Sequence, residues 1–329
     1  MVDQEHYWTA EALQEILRRA EFLSNEDPEE ALRAARSAVE ILERRLVEPA
    51  TSLQVRVIVV LGSMLRINGN LEEALQAFEH ALRLAAPGSA DRSRVLMRMT
   101  VTLVYLNRIE AALEAVNEAL RLTPRDPFGL AARGWVYFVV GDFSATIRDC
   151  STVLEQATPE SSSDHSFISS IVNIAESMSY EAGSDVEPEV LQRVQEAIRR
   201  YRETLATKGS QFYKVQRLRL MLSRAEALVL ARLGDAAQAI PILHRVIRGL
   251  RPKLSDDALD ASVDLMCLLA KEEDEEAAAA EARRTLEIAN ETKNPPGLVA
   301  MTVLKNSAKK QRLSLIEAVE IRVRLRSPS

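Results

Sequence analysis

A phrase returns along this chain about every 34 residues, and it leaves little freedom in what the chain can build. Its clearest form is "NGNLEEALQAFEHALRLAAPGS", residues 68–89. Gly69 ends one helix there, because glycine tolerates the left-handed conformation. Asn70 caps the next helix, with Glu73 three residues on in capping-box spacing. Leu71, Ala74, Leu75, Phe78, Ala81 and Leu82 recur at three and four, so one apolar stripe runs down that helix. Ala74 and Ala81 on the stripe let a neighbour approach closely, and Pro87-Gly88 stops the run. A single helix cannot bury such a stripe alone. The units must stack.

The phrase recurs as "EDPEEALRAARSAVEIL" around Asp27, with Pro28 at the first helical position, and as "NRIEAALEAVNEALRLTPRD" from Asn107. It returns as "GDFSATIRDCSTVLEQATP" from Gly141 and "GDAAQAIPILHRVIRGLRP" from Gly234. At these residues the chain resembles the tetratricopeptide repeat family, whose pattern sets Trp, Leu-Gly and Tyr on a first helix and Ala, Phe, Ala and Pro on a second. Unit 55–88 carries it best, with Leu61-Gly62, Leu65, Gly69, Ala74, Phe78 and Ala81. Unit 127–160 keeps Gly134, Tyr137 and Gly141 but has Thr146 and Cys150 where Ala and Phe are usual. Unit 93–126 has Thr100, and unit 12–45 has Arg19, in place of the helix-packing glycine. Unit 220–253 follows the pattern at Gly234-Asp235 and Ala239, and unit 259–292 is degenerate around Ala278. The resemblance implies an all-α, tetratricopeptide-like helix–turn–helix superhelix, an α-solenoid. It names an architecture and no reaction.

Three regions are expected: repeats over 1–160, a loop and intervening helix over 161–187, and a helical repeat-like region over 188–329. "ATPESSSDHS" (157–166) and "EAGSDVEPE" (181–189) read as loops around a helix from Phe167 to about Tyr180. Long helices then run from Glu189 to about Leu205 and on to Leu233, and a final helix pair follows the breaker at 290–297. Among 329 residues, Ala, Leu, Glu and Arg dominate and strand signals are almost absent. The polar, acidic start lacks the basic end and apolar run of a secretory signal, and "VIVVL" and "WVYFVV" are too short to span a bilayer. A cytoplasmic protein without membrane contact is expected, with Cys150 and Cys267 as unbridged thiols on apolar helix faces.

Charge is blocked rather than mixed. Residues 188–253 hold fourteen basic side chains against five acidic ones, and 255–292 hold twelve acidic against three basic. Either the blocks neutralise one another, across the superhelix or within a homo-oligomer, or the basic block meets nucleic acid or an acidic partner. The net charge of −6 argues against nonspecific nucleic-acid binding. Chemistry is thinly supplied. His6, His80, His165 and His244 lie in different segments without a metal-ligand neighbour, neither cysteine has a basic helper, and no glycine cluster cradles a phosphate. No enzyme, cofactor or metal is expected.

What remains is a binding surface. The resemblance implies that each repeat's first helix lines a concave groove at its second, fifth, ninth, twelfth and thirteenth positions. These are Arg56, Val59, Ser63, Arg66 and Ile67 in the second unit, and Arg94, Met97, Val101, Val104 and Tyr105 in the third. In the fourth they are Phe128, Ala131, Trp135, Phe138 and Val139. Arg56, Arg66, Arg94, Met97, Tyr105, Trp135 and Phe138 are therefore the expected partner-binding residues of a protein-interaction scaffold or regulatory subunit. Alternatively, the helix at 167–180 folds into the groove and covers the aromatics itself. The Lys and Asn of the family's chaperone-binding carboxylate clamp are absent, with Ile16 and Ala20, Val59 and Ser63, or Met97 and Val101 in their places. The asparagine ladder of peptide-pheromone receptors of this class is absent too. A nucleic-acid- or ligand-sensing regulator using 188–253 is the second reading.

Overall fold

A computed structural model describes residues 9–24, 26–44, 50–156, 164–180, 188–207, 213–250 and 255–272, and beyond these 274, 276–278, 280, 281, 284 and 285. Among the described residues there is no strand; besides helical residues within 276–285, thirteen helices have defined bounds. They are α1 (Ala10–Leu23), α2 (Pro28–Glu43), α3 (Thr51–Ile67), α4 (Leu71–Leu84), α5 (Ala90–Tyr105), α6 (Ile109–Leu122) and α7 (Pro127–Val140). After them come α8 (Phe143–Gln156), α9 (Asp164–Tyr180), α10 (Pro188–Thr207), α11 (Tyr213–Arg232), α12 (Ala236–Leu250) and α13 (Ser255–Lys271). None of these helices is long and apolar enough to cross a membrane. The expected final helix pair, and the breaker before it, lie outside the described residues.

Side chains start most of the hairpin helices by satisfying orphan amides. Asp27 accepts from the Glu30 amide at 2.9 Å, Ser89 from Arg92 at 3.1 Å and Asp126 from Gly129 at 3.0 Å. Asn70 departs from expectation, because its side chain makes no cap bond to α4. Asn68 holds that corner instead, its Nδ2 donating to the Pro28 carbonyl at 2.8 Å and the Met64 carbonyl at 2.9 Å. Between paired helices one backbone device repeats. The residue at the turn is left-handed, at φ 85° for Gly69, 56° for Asn107, 81° for Gly141 and 84° for Gly234. The next amide reaches back five residues, as in Asn70 to Leu65, Arg108 to Leu103, Asp142 to Tyr137 and Asp235 to Leu230. This is the Schellman closure, which satisfies orphan carbonyls while turning the chain.

The chain divides into two compact units, Met1–Pro124 and Arg125–Ser329. The first packs α1 to α6 as three hairpins around Leu13, Leu17, Ala35, Val57, Met64 and Phe78. Gly62 makes its centre possible, since a Cβ there would lie 2.9 Å from the Phe78 ring. In the second unit α9 packs on α7, α8 and α11, with Ile168, Ile171, Ile174, Tyr201 and Leu222 in one core. A further core gathers Leu243, Val246 and Leu265 from α12 and α13. The division falls before the fourth hairpin, whereas the repeat pattern breaks after it. The physical reason is α9, which packs on both helices of that hairpin. Thr146 and Cys150, the two departures in that hairpin, are accommodated. Thr146 donates to the Gly134 carbonyl at 3.0 Å, and Cys150 fills the space a Cβ on Gly134 would take.

Candidate partner-binding surface

In the first unit α3 packs directly on both α1 and α5, so the first helices of the hairpins form one inner layer. Successive side chains at three- and four-residue spacing share a face. On α3 that places Arg56, Val59, Ser63 and Arg66 in one stripe, and on α5 Arg94, Arg98, Val101 and Tyr105. Arg56 is exposed and donates to Glu21 of α1 at 3.2 Å. Arg94 is exposed and reaches Asp91, one turn earlier, at 2.7 Å. Half-buried Arg66 lays its guanidinium over Tyr105, with 5.9 Å between the guanidinium carbon and the ring centroid. That is cation–π distance. Met97 differs from the rest. It is 2% exposed, packed beneath the layer, and offers no surface to a partner.

Arg98 was not among the residues that the repeat positions single out. It is open to solvent, yet surrounding protein desolvates its guanidinium and lowers its pKa. The positive charge of Arg66 adds to this lowering, and Glu21 opposes it. The signal was legible: Arg98 lies one helical turn from Arg94 and so on the same face.

The second unit fills its own inner face. Phe138 is 5% exposed, closed by Phe143 at 5.8 Å between ring centroids and by Cys267 of α13. Its expected place on a partner surface is therefore corrected to a packing role. Half-buried Trp135 rests against the same cluster. The covering groups come from α8 and α13, while α9 stacks its own Phe167 on Tyr201 of α10 at 4.2 Å. Tyr105 belongs to the first unit, and Trp135 and Phe138 to the second.

Deeper in the second unit Arg224 of α11 is 5% exposed and holds two helices. Its Nε donates to Asp264 of α13 at 2.6 Å, its Nη2 to Glu176 of α9, and its Nη1 lies 3.7 Å from Asp260. Desolvation works against the buried guanidinium, but the three carboxylates outweigh it and raise its pKa. One cation cannot neutralise three acids. Burial therefore pushes Glu176 up to about 8, against the pull of Arg224, with Asp264 and Asp260 adding to the rise. Charged residues inside the apolar runs of "IVNIAESM", "LMLSRAEALV" and "ASVDLMCLL" were the sequence signal for this cluster.

Much of the basic block is engaged with carboxylates. Arg193 pairs with Glu155 at 2.6 Å, Arg199 with Glu196 and Glu203, and Arg202 with Glu226. Arg217 grips Asp257 with two hydrogen bonds, 2.6 and 3.1 Å, which joins the basic stretch to the acidic one. Burial pushes the Cys150 thiol up to about 12, far from a reactive thiolate. Among the described residues no group of three His, Cys, Asp or Glu side chains is arranged to hold a metal.

Residues 55–125 match the family model of the tetratricopeptide repeat. Tetratricopeptide repeats thus lie within that stretch. No curated protein matches it. Among solved structures, the Rap protein complexed with competence and sporulation factor aligns over 94% of this chain and 86% of its own, at 13% identity and a TM-score of 0.62. NprR in complex with its cognate peptide NprX aligns over 97% of this chain and 90% of its own, at 14% identity and a TM-score of 0.56. The apo quorum sensor NprR from B. thuringiensis aligns over 90% and 82%, at 15% identity and a TM-score of 0.51. At these identities the likeness is one of fold.

Proposed function

We propose that the protein is a non-catalytic interaction scaffold or regulatory subunit that holds a protein or peptide segment on the inner face of its first unit. The observation that carries this reading is the state of that face. Arg56, Arg66, Arg94, Arg98 and Tyr105 stand at least partly in solvent on two adjacent inner helices. Arginine and tyrosine bury large areas at low entropic cost and dominate binding hot spots. Trp135 and Phe138, by contrast, are engaged with Phe143 and Cys267. Rap and NprR, which share the fold, have been solved with a factor and a peptide bound, and this supports a protein or peptide partner. The basic stretch at 188–253 is a weaker candidate, because so many of its arginines already face carboxylates.

The test is co-purification from source cells with the wild-type chain and with Arg56→Ala/Arg66→Ala. The partner should be lost from the variant while helical circular dichroism is unchanged. Equal recovery on both chains would move the binding surface elsewhere.

A further inference from the structure

Three helices of the second unit meet at charged groups enclosed by its apolar core. Glu176 of α9, Arg224 of α11 and Asp264 of α13 are all buried. Arg224 donates to both carboxylates, through Nη2 to Glu176 and through Nε to Asp264 at 2.6 Å. One guanidinium thus ties α11 to α9 and to α13 at once. A second pair keeps the same register, since Arg217 and Asp257 stand seven residues before Arg224 and Asp264 and join at 2.6 and 3.1 Å. Cys267 lies one turn beyond Asp264 on the same face of α13. It packs on Phe138 and Phe143, with half-buried Trp135 against the same cluster. Holding α13 down therefore keeps these aromatics covered.

We propose that Glu176, Arg224 and Asp264 form a proton-operated latch on α13, closed while Glu176 is protonated and loosened once it is ionised. A neutral Glu176 needs no counter-charge, so Arg224 serves Asp264 and α13 is held. An ionised Glu176 competes from α9 for the same guanidinium, and the tie to α13 weakens. Burial makes the competition steep, because a carboxylate short of a cation is costly away from water. The charges that face Glu176 are Arg224 from α11 and Asp264 and Asp260 from α13. From the other helices packed on α9, Arg133 of α7 and Asp149 of α8 pair with each other at 2.6 Å, Cys150 of α8 meets Asn173, and Tyr201 of α10 stacks on Phe167. Burial, with Asp264 and Asp260, pushes Glu176 up to about 8 against the pull of Arg224. A raised pKa fixes the direction: the latch is closed below that pH and loosens above it. Mild alkali therefore uncovers Trp135 and Phe138, an aromatic surface of the kind that partners use. The device belongs to the second unit and does not depend on what binds the first.

Hydrogen exchange of the full chain reads the latch, with α13 amides compared to those of α8 in the same molecule so that the general acceleration with pH cancels. Between about pH 6 and about pH 9.5, protection of α13 should fall about tenfold or more relative to α8. Glu176→Gln, which keeps the shape of the protonated acid, should hold α13 protected at both pH values. Asp264→Asn, which removes the carboxylate on α13, should leave α13 exchanging fast at both. Circular dichroism establishes that each variant is folded. In a Trp8→Phe background, acrylamide quenching of Trp135 should rise as α13 loses protection and stay low with Glu176→Gln. Equal loss of protection in α8 and α13 would make the effect a general destabilisation and overturn the latch. The same pH step in Glu176→Gln would overturn it too. A wild-type chain whose α13 protection relative to α8 is unchanged across the range overturns it without any variant.

Discussion

Phe78 packs against Gly62 in the second hairpin, and the same pair of positions is filled by Gly134 and Cys150 in the fourth. A methyl on Gly62 would meet the Phe78 ring at 2.9 Å, too close for a ring held in a packed core. Gly62→Ala is therefore expected to cost about 1–3 kcal/mol in urea unfolding, the usual range for overpacking. Asn107 gives a contrasting case. At φ 56° it stands where the neighbouring repeats use glycine, so Asn107→Gly should be neutral or slightly stabilising. Asn107→Val should lose about 1–2 kcal/mol in the same measurement, since a β-branched residue resists the left-handed region. These positions were legible because the repeat aligns them. Phe138 was not. Periodicity fixes the face of α7 on which it lies, but not that Cys267, far along the chain, comes to cover it. The Asn70 cap was misread for a similar reason: a preferred residue type at the right place does not ensure the hydrogen bond. The left-handed turn before it lets the backbone close the corner, and Asn68 supplies the side-chain tie.

Among the elements, α9, α11 and α13 are joined by one arginine. Removing it strands two buried acids, Glu176 and Asp264, and Arg224→Met should destabilise the fold by about 3–5 kcal/mol, as for other broken buried pairs. The same cluster predicts a pH dependence. Glu176 is faced by Arg224 from α11 and by Asp264 and Asp260 from α13, and its pKa rises from 4.5 to about 8 on folding. A raised pKa means that the folded state binds the proton more tightly than the unfolded one. This contribution is complete below pH 4.5 and is lost as pH rises through about 8. The melting temperature of the wild-type chain should thus fall across that window, and Glu176→Gln should flatten the fall. A Gln variant with an unchanged profile would remove Glu176 as its source. The helices themselves were read to within a few residues from caps and three-four spacing. Their ionic tie was legible only as charged residues inside apolar runs, and the pairing itself was not, because its members lie on three elements far apart in sequence.

At the scale of the whole molecule, the repeats specify two units that treat their inner faces differently. The first leaves arginines and a tyrosine at least partly in solvent; the second closes over Phe138 and Arg224. Trp135→Ala distinguishes these roles. Truncating a half-buried indole on the Phe138–Phe143 cluster should lower stability by up to about 3 kcal/mol while partner affinity stays within about twofold. The measurement that bears most directly on the partner surface compares two cross-linking sites on the full chain. One photoreactive group replaces Arg94, on the inner helix α5, and the other replaces the exposed His80, on α4, whose hairpin partner α3 belongs to the inner layer. The partner that co-purifies with the wild-type chain should be captured from position 94 and not from position 80. Capture from position 80 alone would contradict binding at the inner face.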